Sequence, residues 1–195
     1  MPNPNHKSAE AGMTLVEIMV SLTIFALVMG ALTAILFSST RSSANTQQRA
    51  DIQGACRQTL SLMSSELRQA GADPSIPPIG VLGIVYADSV SIHTRGDHTG
   101  NGAIQTTEPS EDVTYSYVDS TGVLTRNPGS GAVQVLGNLT DLRFRYYTET
   151  DSELTAVPLS AGDAALVHSI GIMLTGREGT ASPFTLTSRV TLRNR

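Results

Sequence analysis

Two places in this 195-residue chain set oxygen atoms or charge where chemistry could follow. The first is Asp97-His98-Thr99-Gly100-Asn101-Gly102-Ala103-Ile104-Gln105-Thr106-Thr107-Glu108. Asp97, Thr99 and Asn101 take the first, third and fifth places, Gly102 the sixth, Ala103 the seventh, Ile104 the eighth and Glu108 the twelfth. A calcium loop of the EF-hand type uses that spacing: side-chain oxygens first, a glycine for the sharp turn, a main-chain carbonyl at the seventh place and a bidentate carboxylate at the twelfth. Thr99 is a poor third ligand, and two full carboxylates imply modest affinity. The same stretch also reads as an Asn/Gly-rich turn between two strands, and the residues alone leave both readings open. The second place is Glu17, the one charged residue from Met13 to Phe37. A carboxylate inside an apolar span costs a few kcal/mol, so it calls for a partner and a task.

Other familiar chemistry is missing from the sequence. His6, His93, His98 and His168 show no ligand spacing, and Cys56 is the sole cysteine, so neither a thiol-rich zinc site nor an internal disulfide is available. Cys56 reads as a small core residue. No Gly-x-Ser-x-Gly elbow, phosphate loop or dinucleotide fingerprint occurs. Glu111-Asp112 reads as the solvated start of a strand rather than an acid/base pair. Arg143 and Arg145 read as a solvated or subunit-contact face. A net charge of -4, without a basic patch, argues against a nucleic-acid partner. The reading is of a chain that is not an enzyme.

The elements that would carry these residues fall into three parts. Residues 13–37 are apolar for more than the roughly 20 residues that a helix needs to cross a bilayer. Residues 38–70 contain no proline, and Ile52, Cys56, Leu60, Met63, Leu67 and Ala70 recur every three or four positions. That is an amphipathic helix, expected to continue the first as one rod on the order of 85 Å long. Gly71, Asp73-Pro74 and Pro77-Pro78 stop it. From there the period becomes two. Val113, Tyr115 and Tyr117 share one face and Leu142, Phe144 and Tyr146 another. Asp119-Ser120-Thr121-Gly122 reads as a hairpin turn into Val123-Leu124-Thr125-Arg126, Val133–Leu136 as a short strand, and 167–175 with 184–192 as a last hairpin. The expected fold class is α+β, with the second half of a long helix packed on an antiparallel sheet.

Gly12-Met13-Thr14-Leu15-Val16-Glu17 ahead of a long apolar helix resembles the processing signal of type IV prepilins and pseudopilins. Gly12 matches the glycine before the cut, Met13 the first mature residue and Glu17 the glutamate at the fifth mature position. Met13 replaces the phenylalanine most common there, and Ala34 stands where major pilins often have a bending proline. Leu67-Arg68-Gln69-Ala70-Gly71-Ala72-Asp73-Pro74, the Tyr115-Ser116-Tyr117 hairpin leading to Leu124-Thr125-Arg126, and Val190-Thr191-Leu192-Arg193-Asn194 resemble PilW-type minor pilins. The J-type minor pseudopilins of type II secretion share the same order of elements. Lys7 on one side of the span and Arg41 and Arg49 on the other leave orientation undecided by charge.

What the resemblance implies is an assembly protein. Residues 1–12 would be a cytoplasmic leader, removed by prepilin peptidase, after which the amine of Met13 is methylated. Residues 13–37 would anchor the chain in the inner membrane and later form filament core, 38–70 would extend the helix, and 71–195 would be a periplasmic strand-rich domain. Partners would be the lipid bilayer, the inner-membrane assembly platform and other major and minor pilins or pseudopilins. Glu17 could then pair with the new amine of its own or a neighbouring chain.

Overall fold

The computed structural model describes residues 14–108, 110–177 and 182–193. The chain separates into two compact units, Met1–Gln47 and Gln48–Arg195.

In the first unit, helix α1 (Leu15–Arg68) begins. Thr14 caps it: the Ile18 N–H donates to the Thr14 carbonyl at 3.2 Å and the Glu17 N–H to the Thr14 hydroxyl at 3.3 Å. Every residue from Thr14 to Ala50 is exposed, with Leu15 at 74% and Phe37 at 75%. The helix passes Ala34 without a break, as a chain without proline there should.

In the second unit, α1 changes character. Cys56, Thr59, Leu60, Met63 and Leu67 are buried, the expected stripe at helical spacing. The helix ends in a tightened turn, with the Ala70 N–H donating to Leu67 O at 3.2 Å. Gly71 follows at φ 79°, the left-handed position that glycine occupies without a Cβ penalty. Its N–H donates to Arg95 O at 2.8 Å, which ties the helix exit to a strand. A Cβ on Gly83 would lie 2.9 Å from the Gly71 nitrogen, so the two chains meet there backbone to backbone.

The strands are β1 (Ile84–Ala87), β2 (Ser91–Arg95), β3 (Asp112–Val118), β4 (Val123–Asn127), β5 (Val133–Leu136), β6 (Leu139–Tyr147), β7 (Glu153–Leu154), β8 (Ser169–Gly176) and β9 (Phe184–Thr191), with a short helix α2 (Ala161–Leu166) before β8. All pairings are antiparallel. The α+β layout holds, with the strands divided between two sheets, β1-β2-β3-β4-β5 and β7-β6-β8-β9. The period-two faces point where alternation places them. Val113, Tyr115 and Tyr117 from one sheet and Leu142, Phe144, Tyr146, Ile170, Ile172 and Leu174 from the other join the helix stripe in a single core. The sheets are stitched by main-chain bonds, Phe144 N–H to Ser89 O at 2.8 Å and Leu139 N–H to Gly122 O at 3.0 Å, and by the Tyr146 hydroxyl on Asp88 O at 2.7 Å. Short β1, β7 and α2 were not expected from the pattern. α2 is nucleated by Ser160, whose hydroxyl accepts the Asp163 N–H at 3.1 Å.

Candidate functional site

The start of α1 holds Glu17, the one processing or assembly candidate among the described residues. Gly12 and Met13 lie outside the described residues. Glu17 lies in the first turn, where the helix macrodipole favours a negative charge. Thr14-x-x-Glu17 is the sequence form of a capping box, and the Thr14 hydroxyl accepts one of the amides that a helix start leaves unpaired. Farther along, the hydroxyls of Thr23 and Thr40 donate to Met19 O at 2.8 Å and Leu36 O at 3.1 Å, and Thr33 donates to Gly30 O at 3.1 Å. The apolar segment therefore presents these hydroxyls already satisfied, as an environment without water demands. By length and composition α1 can cross a membrane: an 18-residue window reaches a mean hydropathy of 2.4, and none of that window is buried in the fold.

The 97–108 stretch forms a loop between β2 and β3 that folds inward on its own amides. Asp97 is wholly buried; its two carboxylate oxygens accept the N–H of Gly100 at 2.6 Å and of Gly102 at 2.8 Å. Asn101 Oδ1 accepts the Ala103 N–H at 2.9 Å. Glu108 contributes its main chain to two turns, Glu108 N–H to Gln105 O and Glu111 N–H to Glu108 O, each 3.2 Å. The second buried carboxylate of the loop is Glu111, three residues past the spacing. It accepts the amides of His98 and Thr99 at 3.1 Å, of Gln105 at 3.0 Å, and the Thr99 hydroxyl at 2.9 Å. Thr99, Asp97 and Asn101 thus serve the loop's own hydrogen bonds. Among the described residues, no group of three or more His, Cys, Asp or Glu side chains is placed to hold a metal ion.

Glu111-Asp112 is the clearest correction to the sequence reading. The pair is not a solvated strand start: Glu111 is 1% exposed and Asp112 9%. Burial pushes the Glu111 carboxyl up, but the amides of Gln105, Thr99 and His98 with the Thr99 hydroxyl outweigh it and hold the pKa below the usual glutamate range. Asp112 behaves likewise. Burial opposes its charge, and His93 Nε2 at 2.5 Å with Arg95 Nε at 2.9 Å overcome the penalty.

A second cluster locks α1 to the first sheet. The Glu66 carboxylate accepts Arg126 Nη2 at 2.6 Å and Nε at 3.0 Å, and the Tyr115 hydroxyl at 2.5 Å. Glu66 raises the Arg126 pKa, and burial followed by the Glu66 bond raises that of Tyr115. In the sequence Glu66 looks like an off-stripe surface acid. Its distance of three from Met63 and four from Ala70 is the signal that puts it at the stripe's edge. Cys56 is buried, its thiol pushed up to about 11 by desolvation, which fits an inert core residue. Arg143 pairs with Asp141 at 3.1 Å and Arg145 with Glu153 at 3.7 Å on an outer sheet face.

Comparison with known proteins bears on the N-terminus. Residues 7–33 match the family described as the prokaryotic N-terminal methylation motif. The matched span contains Gly12, Met13 and Glu17 and runs into the exposed apolar part of α1. No curated protein matches the chain. The chain therefore carries a prepilin-like N-terminal motif ahead of an α+β domain.

Proposed function

We propose that this protein is a minor pilin of the PilW type, a structural subunit that helps to prime or tip a type IV pilus. Prepilin peptidase would cut between Gly12 and Met13, and the new amine would be methylated. Residues 13–37 would hold the subunit in the inner membrane as a single pass, with the sheet domain in the periplasm, until the assembly platform moves it into the filament among other pilins. The observation that carries the reading is the methylation motif at 7–33 heading a helix whose apolar first part is exposed and whose second half is bound into a folded domain. A helix with one apolar half unpartnered in the free subunit is suited to burial first in lipid and then among like helices.

Glu17 would pair with the amine created at Met13. A desolvated pair loses roughly 3–5 kcal/mol when one partner is removed. Glu17→Ala should therefore insert and be processed as the wild type is, yet enter filaments poorly. Immunoblots of sheared filaments against membrane fractions measure this. Equal incorporation of the variant would contradict the assembly role.

A further inference from the structure

Four strands stand at sheet edges, β1, β5, β7 and β9, and the fold treats one of them differently. An edge strand presents unpaired N–H and C=O groups, a template for another chain, and folds blunt such edges with short strands, bulges or a covering element. β1 has a bulge between Ile84 and Tyr86, has α2 packed on it, and gives its Ala87 carbonyl to the Leu159 N–H at 2.8 Å. β5 is four residues long and meets β4 across a register shift. β7 is two residues long. β9 has none of these devices. From Phe184 to Thr191 it runs eight residues, pairs with β8 without a shift, and holds one charge and no proline.

The register tells which groups are open. The Leu192 N–H donates to His168 O at 3.0 Å, in step with the pairing of Val190 and Ile170. Antiparallel bonding alternates along a strand, so Phe184, Leu186, Ser188 and Val190 turn their main chains to β8. Thr185, Thr187, Arg189 and Thr191 turn theirs to the free edge, and among the described residues no main-chain bond from beyond the sheet reaches them. Phe184 and Leu186 pack against the core from this edge and stay half-buried. Helix α1 does not close the edge. Its Ser64 hydroxyl lies 3.1 Å from that of Ser188, and Arg193 N–H donates to Arg68 O at 3.3 Å. Where helix and strand end meet, an open depression of about 320 Å³ is lined by Ser61, Ser64, Ser65, Arg68, Gln69 and Arg193.

We propose that β9 is a docking edge that takes one extended segment of a partner protein as a fifth, antiparallel strand of this sheet. Donors and acceptors spaced along alternate residues are matched by another extended backbone. In an antiparallel pair the bonded residues share a face. The bonding residues of the segment therefore lie beside Thr185, Thr187 and Thr191 on the outer face, where hydroxyl and β-branched residues pair well. Its alternate residues turn inward beside Phe184 and Leu186 and are apolar. A second copy of this chain does not fit the edge. Two copies joined antiparallel through β9 share a two-fold axis normal to the sheet, which sets their α1 helices running oppositely, and single-pass anchoring in one bilayer forbids that. This exclusion rests on the anchoring proposed above; the strand site does not.

The test uses the full chain, ¹⁵N-labelled, in detergent micelles. Without peptide, hydrogen exchange should be fast at the amides of Thr185, Thr187, Arg189 and Thr191 and slow at those of Leu186, Ser188 and Val190. Slow exchange at the first four would mean that the chain covers its own edge, and would overturn the proposal. The probe is acetyl-Lys-Thr-Val-Thr-Val-Thr-Val-Lys-amide, N-methylated at its three valines, which leaves the threonine edge free to bond and keeps the peptide from stacking on itself. Its isomer is N-methylated at the three threonines instead. The first should shift and protect the four edge amides at up to about millimolar concentration, as for one short added strand; the second should leave them unchanged. Equal effects from the two peptides, or none from either, would overturn the proposal. Thr187→Pro removes one open N–H while keeping the bonds to β8, and should weaken binding of the probe at least about tenfold. Unchanged affinity would overturn the proposal, and if this variant does not fold the isomer pair decides alone. Shifts of the same four amides on raising the protein concentration without peptide would make the occupant a second copy. That result would count against the anchoring as well, whereas the other failures leave the anchoring untouched.

Discussion

The two halves of α1 each carry a carboxylate in apolar surroundings, and the two are treated in opposite ways. Glu66 is bound by Arg126 and by the Tyr115 hydroxyl, with its side chain 12% exposed. Glu17 is exposed, and its amide donates to the Thr14 hydroxyl at 3.3 Å. The apolar residues around Glu17 are uncovered, whereas Met63, Leu67 and Ala70 beside Glu66 are core. The first half of the helix is thus built for surroundings that the chain does not supply, and the second half is complete within the chain. A lone charge that the fold satisfies is a structural device; for Glu17 the proposed partner is the amine that processing would create at Met13.

That contrast can be broken from the Glu66 side with the largest effect. Arg126→Met leaves a desolvated carboxylate with only a tyrosine, and should cost about 3–5 kcal/mol. For a chain of this size that is on the order of 10 °C in melting temperature, read by circular dichroism. A change below about 2 °C would show the pair to be no more than a surface contact.

The loop carboxylates give the next effect. Glu111 and Asp112 have folded pKa values below their unfolded ones, near 4.3 and 3.9. Their contribution is therefore fully present above about pH 5 and lost as the pH falls through the folded values. Glu111→Gln should cost about 1–3 kcal/mol at neutral pH by leaving loop amides poorly paired, and should flatten the acid limb of stability against pH. An unchanged acid limb would remove Glu111 as its source. Smaller still is the response to calcium. With Asp97 committed to the amides of Gly100 and Gly102, saturating calcium should move the melting temperature by less than about 1 °C, whereas ligand linkage at a real site gives several degrees. The smallest effect belongs to Glu17→Ala, which should leave the melting of the sheet domain unchanged within about 0.5 kcal/mol, as for substitutions away from any buried feature. A measurable loss there would tie the two halves of the helix energetically.

Much of this was readable from residue patterns, because period and punctuation are local. The Cys56–Met63–Leu67 stripe, the Gly71 stop, the turn at 119–122 and the buried faces of β3 and β6 all follow from spacing. The division of the strands into two sheets did not, since alternation tells which residues share a face and not which sheet they join. β1 was hidden by a bulge between Ile84 and Tyr86 that spoils its alternation. The calcium spacing names Asp97 and Glu108, whereas the carboxylates buried in this loop are Asp97 and Glu111. A regular spacing names candidate ligands, while the loop's own amides decide where each carboxylate turns. Glu66 with Arg126 needed the fold, because the two are 60 residues apart.

The proposed assembly role rests on Met13 becoming the first residue. Intact-mass and N-terminal peptide mass spectrometry of the protein from membranes tests this directly. The expected product is a chain lacking residues 1–12 and beginning with N-methylated Met13. An uncut chain, or one cut beyond the apolar helix after Phe37, would contradict it.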